Sequence, residues 1–483
     1  MIDMTLDALC EAIGLEPGEN STRIQGRVHT DSRLVSTGDV FVALPGENTD
    51  GHHFLGSVAR RGGRVAIVSC DRAEILDQGW ATEDELNQLT VLQVPDPQYA
   101  LGRLAQAHLR QLRAQAREGT GQLKLVIGIT GSAGKTTTKD LTKQLLSTKG
   151  ATVAPVASFN NEVGLPLTVL EADAATEYLV LEMGASQPGD IAYLTDIAPL
   201  DVALVLMVGV AHLESYSSVE ALAAEKATIL ENLGPSGMAI LNADDPRVET
   251  MSGRTSGRLM YFSTKKNTPV RITDLRLDEA SRGSFLLHTP AGSAPVQLQL
   301  LGAHHVANAL AAAAIAHVAG MTPAEIAAVL SKATPVSEHR MNLVHLADGV
   351  DLIDDAYNAN PDSVRAALDV IAKSGATRRV VIVLGDMLEL GETAPQLHGE
   401  IGRYAANLGI SVLLTVGPMA KHIESAYSAL KRDGESHQVM DATAAGRLLQ
   451  EIVRPGDLIL VKGSHGSGLW KLAQEIEERG RVR

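Results

Sequence analysis

The chain has 483 residues, enough for two to four domains at roughly 100–200 residues each. Aromatic residues are only 3% against 45% hydrophobic, so its cores must be built from Ala, Val, Leu and Ile. Forty-two Lys and Arg against 57 Asp and Glu give a net charge of −15. That balance argues against broad nucleic-acid or anionic-membrane binding but leaves room for a local basic cluster around a small anion. Cys10 and Cys70 are the two cysteines, which fits a reducing compartment and excludes a thiolate zinc cluster.

The opening MIDMTLDALCEAIG carries acids where a signal peptide needs a basic region. Leu6, Leu9 and Ile13 trace a short amphipathic helix there. Short strands are predicted at Val40–Leu44, Arg64–Val68 and Thr90–Val94, then a helix over Tyr99–Arg117 and a polar linker at Glu118–Gln122. The run KLVIGITGSAGKTTT at 124–138 follows, predicting a strand to about Ile129, a glycine-rich loop, and a helix from Lys135 to Lys149 stopped by Gly150. This succession wraps backbone N–H groups around phosphate oxygens and adds the positive end of a helix. Gly131, Ser132, Ala133 and Gly134 form the loop, Lys135 supplies a point charge and Thr136 a hydroxyl for Mg²⁺, with Thr137 completing the nucleotide-binding set. The spacing departs from G-x-x-x-x-G-K-[ST], because Ile129 stands where the first glycine belongs.

Beyond the loop, strands at Glu177–Leu181, Val202–Val208 and Met238–Leu241 alternate with helices, the pattern of a parallel sheet covered on both faces. The Ala-rich stretch Ala309–Met321 is too short to span a bilayer. After a seam at Thr334–Arg340, strands at Val350–Asp354, Arg379–Leu384, Val412–Val416 and Asp457–Val461 repeat the alternation. The expected fold is α/β in three domains. Residues 1–105 form a small N-terminal α/β domain, 106–334 a central P-loop doubly wound domain, and 335–483 a C-terminal Rossmann-like α/β domain.

Ligands of open α/β sheets bind at the C-terminal ends of the strands. Glu182 ends the strand facing the phosphate loop and suits Mg²⁺, although an acid there is commonly only a solvated cap. Helix Ser218–Leu230, with Ser218 as N-cap, carries Lys226; beside Glu225 that lysine by itself reads as a surface charge. Asn160 and Asn161 put paired amides in a turn-rich loop, able to hydrogen-bond a substrate without charge. The joint 302–308 can hold a purine or phosphate; His304 and His305 lack a third nearby ligand for a metal. Residues 354–361 end a strand with acids and amides that can receive an ammonium group, and that also favour plain turns.

The ordered motifs TDSR (30–33), GDVFVALPGENTDGHHF (38–54), TGSAGKTTTK (130–139), NNEVGLPLT (160–168) and LEMGASQPGDI (181–191) continue through the rest of the chain. They are joined by AHLES (211–215), NADDP (242–246), HHVANALAAAA (304–314), DDAYNANPDS (354–363), LGDMLELG (384–391) and VKGS (461–464). The set resembles the muramyl ligases of peptidoglycan synthesis, and NNEVGLP with DDAYNANPDS favours the member that adds a D-alanyl-D-alanine dipeptide. The resemblance implies ATP-driven conversion of UDP-N-acetylmuramoyl-tripeptide to an acyl phosphate, then attack by the amine of D-alanyl-D-alanine. It implies two Mg²⁺, one on Thr136 and Glu182 and the second near His212. Lys226, fourteen residues after His212, matches a lysine that the family carbamoylates. Lys135, Glu182, His212 and Lys226 are thus the implied catalytic set.

The same resemblance assigns the UDP part to the N-terminal domain, at Asp31, Ser32, Arg33, Gly46 and Asn48. Asn160 and Asn161 fall to the substrate, and Asn308, Arg340 and Asp355 to the nucleotide side. Tyr357, Asn358 and Asn360 fall to the dipeptide. Three departures stand out: His304-His305 for His-Asn, Ser337-Glu338-His339-Arg340 for Pro-Gly-Arg, and Lys462-Gly463-Ser464-His465 for Lys-Gly-Ser-Arg. A monomeric, cytoplasmic bacterial enzyme is implied, with small-molecule substrates and no nucleic-acid or membrane partner. Its third domain is expected to swing inward about a hinge near Val336–Arg340.

Overall fold

Runs of β-branched and aliphatic residues fix the strands, and the computed structural model shows how they are ordered for all residues except 19, 47–48, 211–213, 432–433 and 482–483. In the N-terminal domain, Val28–His29, Val40–Val42, Val65–Val68 and Thr90–Gln93 form a parallel four-stranded sheet in that order. An antiparallel pair, Ile2–Thr5 with Arg23–Gly26, lies beside it.

Helix Pro97–Glu118 follows, started by the Asp96 carboxylate, which accepts from Gln98 N and Tyr99 N, and stopped by left-handed Gly119. It crosses the expected boundary at 105/106 without a break. One side packs on the strands Val40–Val42 and Val65–Val68, the other on the middle-domain helices Gly164–Glu171 and Asp190–Ile197. Leu101, Leu104 and Leu109 share one buried cluster with Val40 and Ile67 of the first domain and Leu165, Val169 and Leu194 of the middle one. The linker at Glu118–Gln122 therefore does not separate two free bodies. The helix has an apolar stripe that neither domain covers alone.

The middle domain is built on a nine-stranded sheet. Thr152–Val153, Tyr178–Glu182, Leu125–Thr130, Val202–Val205, Met238–Asn242, Arg258–Ser263 and Val270–Leu277 run parallel in that spatial order. Arg282–Thr289 and Gly292–Leu301 extend it antiparallel. The sequence predicts four of the parallel strands, those at 125–130, 178–182, 202–205 and 238–242, but not Thr152–Val153 or any over 258–301. In the last two, buried and exposed residues alternate, so the apolar signal is half that of a strand covered on both faces. The strand expected to reach Val208 ends at Val205, because the chain turns there to wall the phosphate loop, with Ser132 N donating to Met207 O at 2.9 Å.

The third domain has six strands in the order Asn342–His345, Asp351–Asp354, Leu458–Lys462, Val380–Gly385, Val412–Val416 and Glu435–Val439, the first antiparallel and the rest parallel. Apolar clusters on the two faces of this sheet make its own core. It meets the middle domain through Leu301, Val210 and Ala280, which pack on one of these clusters, and through polar contacts: Asn360 Nδ2 to Ser132 O (3.4 Å), Val210 N to Asp362 Oδ2 (3.2 Å) and Lys373 Nζ to Leu277 O (3.2 Å). The expected hinge segment is itself strapped down. Thr334 pairs with Gln144, and Ser337 N donates to Asp140 Oδ2 at 3.2 Å. Left-handed backbone occurs further on, at His339 (φ 58°) and Met341 (φ 57°). Among the described residues no helix is long and apolar enough to cross a membrane.

The shared cluster predicts two unfolding units rather than three. Leu104→Ala should cost about 2–5 kcal/mol and lower the melting of the first and middle domains together while sparing the third. Calorimetry with fluorescence of Trp80 and Trp470, which lie in the first and third domains, checks it; a first domain that melts alone would contradict the shared core.

Candidate active site

Strand Leu125–Thr130 is largely buried and delivers the chain into the loop at 131–134, from which helix Lys135–Leu146 starts. Gly131 and Gly134 sit at φ 155° and 84°. A Cβ on Gly131 would lie 2.9 Å from Leu206 Cβ, and one on Gly134 would strike the Asn308 amide. Both positions demand glycine. No side chain caps the helix, so its first N–H groups stay available to an anion. Lys135 folds back over the loop, Nζ donating to Gly131 O at 2.8 Å. Loss of water around it lowers its basicity, Arg340 adds to that, and Glu182 opposes it.

Glu182 ends its strand only 1% exposed, which removes the solvated-cap reading. Its Oε2 accepts from Thr136 Oγ1 at 2.9 Å and its Oε1 from Asn160 Nδ2 at 2.8 Å. Ser158 Oγ lies 2.7 Å from Thr136 Oγ1, and Arg340 Nη2 donates to both hydroxyls at 3.1 Å. One buried carboxylate and two hydroxyls thus converge beside the phosphate loop. Hard oxygens of this kind fit Mg²⁺, and a cation there would offset the cost of burying the carboxylate.

The third domain supplies the opposite wall. The Arg340 guanidinium lies over the Tyr357 ring, 4.1 Å from its centroid. Tyr357 faces His465 at 5.6 Å, and His465 stacks on Trp470 at 5.5 Å with planes 3° apart. Asp355 is engaged by Lys462, Nζ to Oδ2 at 2.6 Å, and Lys462 also donates to Asn358 O at 3.0 Å. Removing either partner of such a buried pair leaves an uncompensated charge at a cost of about 3–5 kcal/mol. Asn360 caps helix Pro361–Ser374 reciprocally with Ser363 and reaches back to the loop carbonyl of Ser132. Loop and wall enclose a cavity of ≈ 480 Å³.

At the other end of the cavity Asn308 is buried against Gly134, its Nδ2 3.3 Å from His305 Nδ1. The His304 and His305 rings lie 4.1 Å apart. Burial pushes His304 down to about 4 and His305 well below the usual imidazole range, so both are neutral at physiological pH. Asn242 and Phe262 line this end too, and the sequence singles out neither as a site residue. Their signal is positional: each stands at the C-terminal end of a parallel strand.

Lys226 is 1% exposed on helix Val219–Ala227, which Ser218 caps as expected. Burial, with Lys135 adding repulsion and Glu225 opposing, pulls its ammonium down to about 7. Among the described residues it has no hydrogen-bond partner. The adjacent Glu225 is not its solvated companion: both oxygens cap helix Asp190–Ile197, accepting from Gly189 N and Ile191 N at 2.9 Å each. The surface-charge reading of Lys226 fails because the helix is buried on the side that carries it.

Asp31, Ser32, Arg33, Gly46 and Asn161 stand apart from this cavity, whereas Asn358 lines it. Arg33 forks onto Asp31 at the surface (2.9 and 2.6 Å) and holds its carboxyl down to about 2; Ser32 beside them is buried. Gly46 is exposed, with its N–H on Thr49 O at 3.0 Å. Asn161 is exposed and accepts from Gly164 N at 3.0 Å, ordering the start of helix Gly164–Glu171 rather than lining the cavity as Asn160 does. Asn358 Oδ1 accepts from Ala359 N at 2.8 Å. His212 and Asn48 lie outside the described residues.

Residues 129–316 match the profile of the Mur ligase middle domain, 339–465 that of the Mur ligase glutamate ligase domain, and 26–109 that of the Mur ligase family catalytic domain. The chain belongs to the Mur ligase family. Within that family it is 39% identical, over 100% of both chains, to the UDP-N-acetylmuramoyl-tripeptide–D-alanyl-D-alanine ligase of Mycobacterium leprae. Its structure matches MurF from Acinetobacter baumannii with a TM-score of 0.83 at 31% identity, covering 99% of each chain. It also matches the MurF ligase of Thermotoga maritima, solved in complex with ADP, with a TM-score of 0.75 at 27% identity over 95% of this chain and 98% of that one.

Lys135 contributes charge to the loop rather than packing. Lys135→Ala should therefore cost on the order of 10²-fold or more in turnover with the melting temperature nearly unchanged. Steady-state ADP release checks this, and a variant retaining more than about a tenth of wild-type rate would remove Lys135 from the reaction.

Proposed function

We propose that the chain is the ATP-dependent ligase joining D-alanyl-D-alanine to UDP-N-acetylmuramoyl-tripeptide, with the pentapeptide precursor of peptidoglycan, ADP and phosphate as products. One observation carries the reading: the phosphate loop and the Asp355–Asn360 loop of the third domain face each other across one cavity. Full-length likeness to ligases of that name supports the choice of substrates.

A carboxylate is a poor electrophile. Its oxygen therefore first attacks the γ-phosphorus of ATP, and the bond to the ADP oxygen breaks. The dipeptide amine then attacks the carbonyl carbon of the acyl phosphate, the nitrogen loses a proton and phosphate leaves. Charge grows on phosphoryl oxygens in the first step, where Lys135 and the uncapped helix N–H groups face it. The second step needs amine and carbonyl within ~3–3.5 Å and water kept away from the acyl phosphate. Contacts from Arg340 and Asn360 to the phosphate loop region, which hold the third domain against the cavity, support both requirements.

Thr136 and Glu182 would hold one Mg²⁺, and His212 with a carbamoylated Lys226 a second. Such ions would neutralise charge on the nucleotide phosphates. Carbamoylation joins the Lys226 nitrogen to the carbon of CO₂ and releases a proton, which requires a neutral amine; an ammonium near 7 supplies one. Asp31, Ser32, Arg33, Gly46 and Asn48 are assigned to the UDP moiety, with Asn160 and Asn161 toward the rest of that substrate. Asn308, Arg340 and Asp355 serve the nucleotide side, and Tyr357, Asn358 and Asn360 the dipeptide. The domains at 1–105, 106–334 and 335–483 then divide as UDP-binding, ATP-binding and amine-binding units of a monomeric cytoplasmic enzyme.

Mass analysis of reactions holding ATP and UDP-N-acetylmuramoyl-tripeptide, with and without D-alanyl-D-alanine, tests the reading. Product heavier by the dipeptide less one water should form only with the dipeptide present. No such product, or joining of a different amine in preference, would reject it.

The carbamate has its own test. Lys226→Ala should abolish turnover, and formate or acetate should partly restore it by replacing the missing anion. An active alanine variant indifferent to these acids would return Lys226 to a structural role.

A further inference from the structure

The segment that joins the middle and third domains runs along one face of the phosphate-loop helix. Thr136, Asp140 and Gln144 are spaced by four residues, hence aligned on that face. They meet Arg340, Ser337 and Thr334 in turn, at 3.1, 3.2 and 3.2 Å. The last rung sets Arg340 beside the buried Glu182 centre. Arg340 does not arrive there along ordinary backbone, because the residues on both sides of it, His339 and Met341, are left-handed at φ 58° and 57°. Neither is glycine; histidine tolerates this region better than most side chains, but two such residues flanking Arg340, one of them methionine, still hold a sparsely populated conformation.

Something must hold that turn in place. His339 is buried, and its Nδ1 lies 2.6 Å from Oδ2 of Asp354, also buried, at the end of strand Asp351–Asp354. The other Asp354 oxygen accepts from Ala356 N at 3.2 Å. The His339 carbonyl accepts from Tyr357 N at 3.2 Å, and Met341 N donates to Asp355 Oδ1 at 3.2 Å. The turn is thus hydrogen-bonded to the third-domain loop at three points, and among the described residues the imidazole is the turn's own side chain in those bonds, beside the Arg340 contact with the Tyr357 ring.

We propose that His339 is a positioning residue: clamped by Asp354, it holds the left-handed turn that presents Arg340 to the hydroxyls of Thr136 and Ser158. This rests on reading the neighbouring cavity as the ATP site. His339 does not line that cavity, and its effect passes through Arg340.

Three substitutions and one background test it. Asparagine accepts left-handed backbone readily, and its Nδ2 stands the same number of bonds from the backbone as His Nδ1. H339N should therefore keep kcat/KM for ATP within about twofold, while H339A and H339Q lose about tenfold with the KM for D-alanyl-D-alanine unchanged. On an R340K background, H339A should cost less than about a further twofold, because the group it positions has already been replaced. Full additivity there, an unaffected H339A, or an H339N as poor as H339Q would each overturn the role. If H339A fails to fold, as a thermal melt reports, the H339N and H339Q pair carries the same comparison. A wild-type chain that consumes no ATP with both substrates would instead overturn the functional reading, and this inference with it.

Discussion

The contact of the Arg340 guanidinium with the hydroxyls of Thr136 and Ser158 decides how the rest of the site is arranged. It is the point where a side chain of the third domain enters the hydrogen-bonded group around Glu182. Near the phosphate loop it is joined by the longer contact of Asn360 Nδ2 to Ser132 O. The Tyr357 ring beneath the guanidinium orients it, and the Asp355–Lys462 pair fixes the loop that carries the ring. Chemistry that needs three reactants in one dry place is served by a wall whose own side chains are held by one another.

Buried charge is the recurring means of achieving that. Glu182, Lys226, Asp354 and Lys462 are all removed from water, and each is costly there unless matched. Asp354 and Lys462 are matched inside the third domain. Glu182 has hydrogen-bond donors of modest strength, and Lys226 is pulled far from its usual basicity. Groups left partly uncompensated in this way mark where ligands complete the electrostatics.

The phosphate loop was legible in the sequence because its chemistry is local: two glycines, a lysine and a threonine in fixed order at a strand end. Glu182 was ambiguous by itself, since an acid at a strand end is commonly a solvated cap and its burial shows only in the fold. Lys226 was ambiguous, since its burial depends on packing that a helix of mixed Ala, Glu and Lys does not reveal. Asn161 resembled its neighbour Asn160 in sequence and differs in direction, one accepting from Gly164 N and the other reaching Glu182. The antiparallel strands over 282–301 expose every second residue, which weakens the apolar run that marked the others. The left-handed turn at 339–341 carried no glycine to announce it. Long-range ties, rather than local propensity, decide these cases.

Helix Pro97–Glu118 has one more consequence, for the order in which the chain is made. Its stripe of Leu101, Leu104 and Leu109 finds part of its cover in Leu165, Val169 and Leu194, which emerge from the ribosome well after it. Until then the N-terminal sheet is complete, yet the helix that closes it presents leucines to water. Synthesis proceeds at ≈ 5–20 residues per second, so this exposure lasts for seconds in every copy of the protein. The first domain thus waits, with part of its helix uncovered, for the middle domain to fold against it.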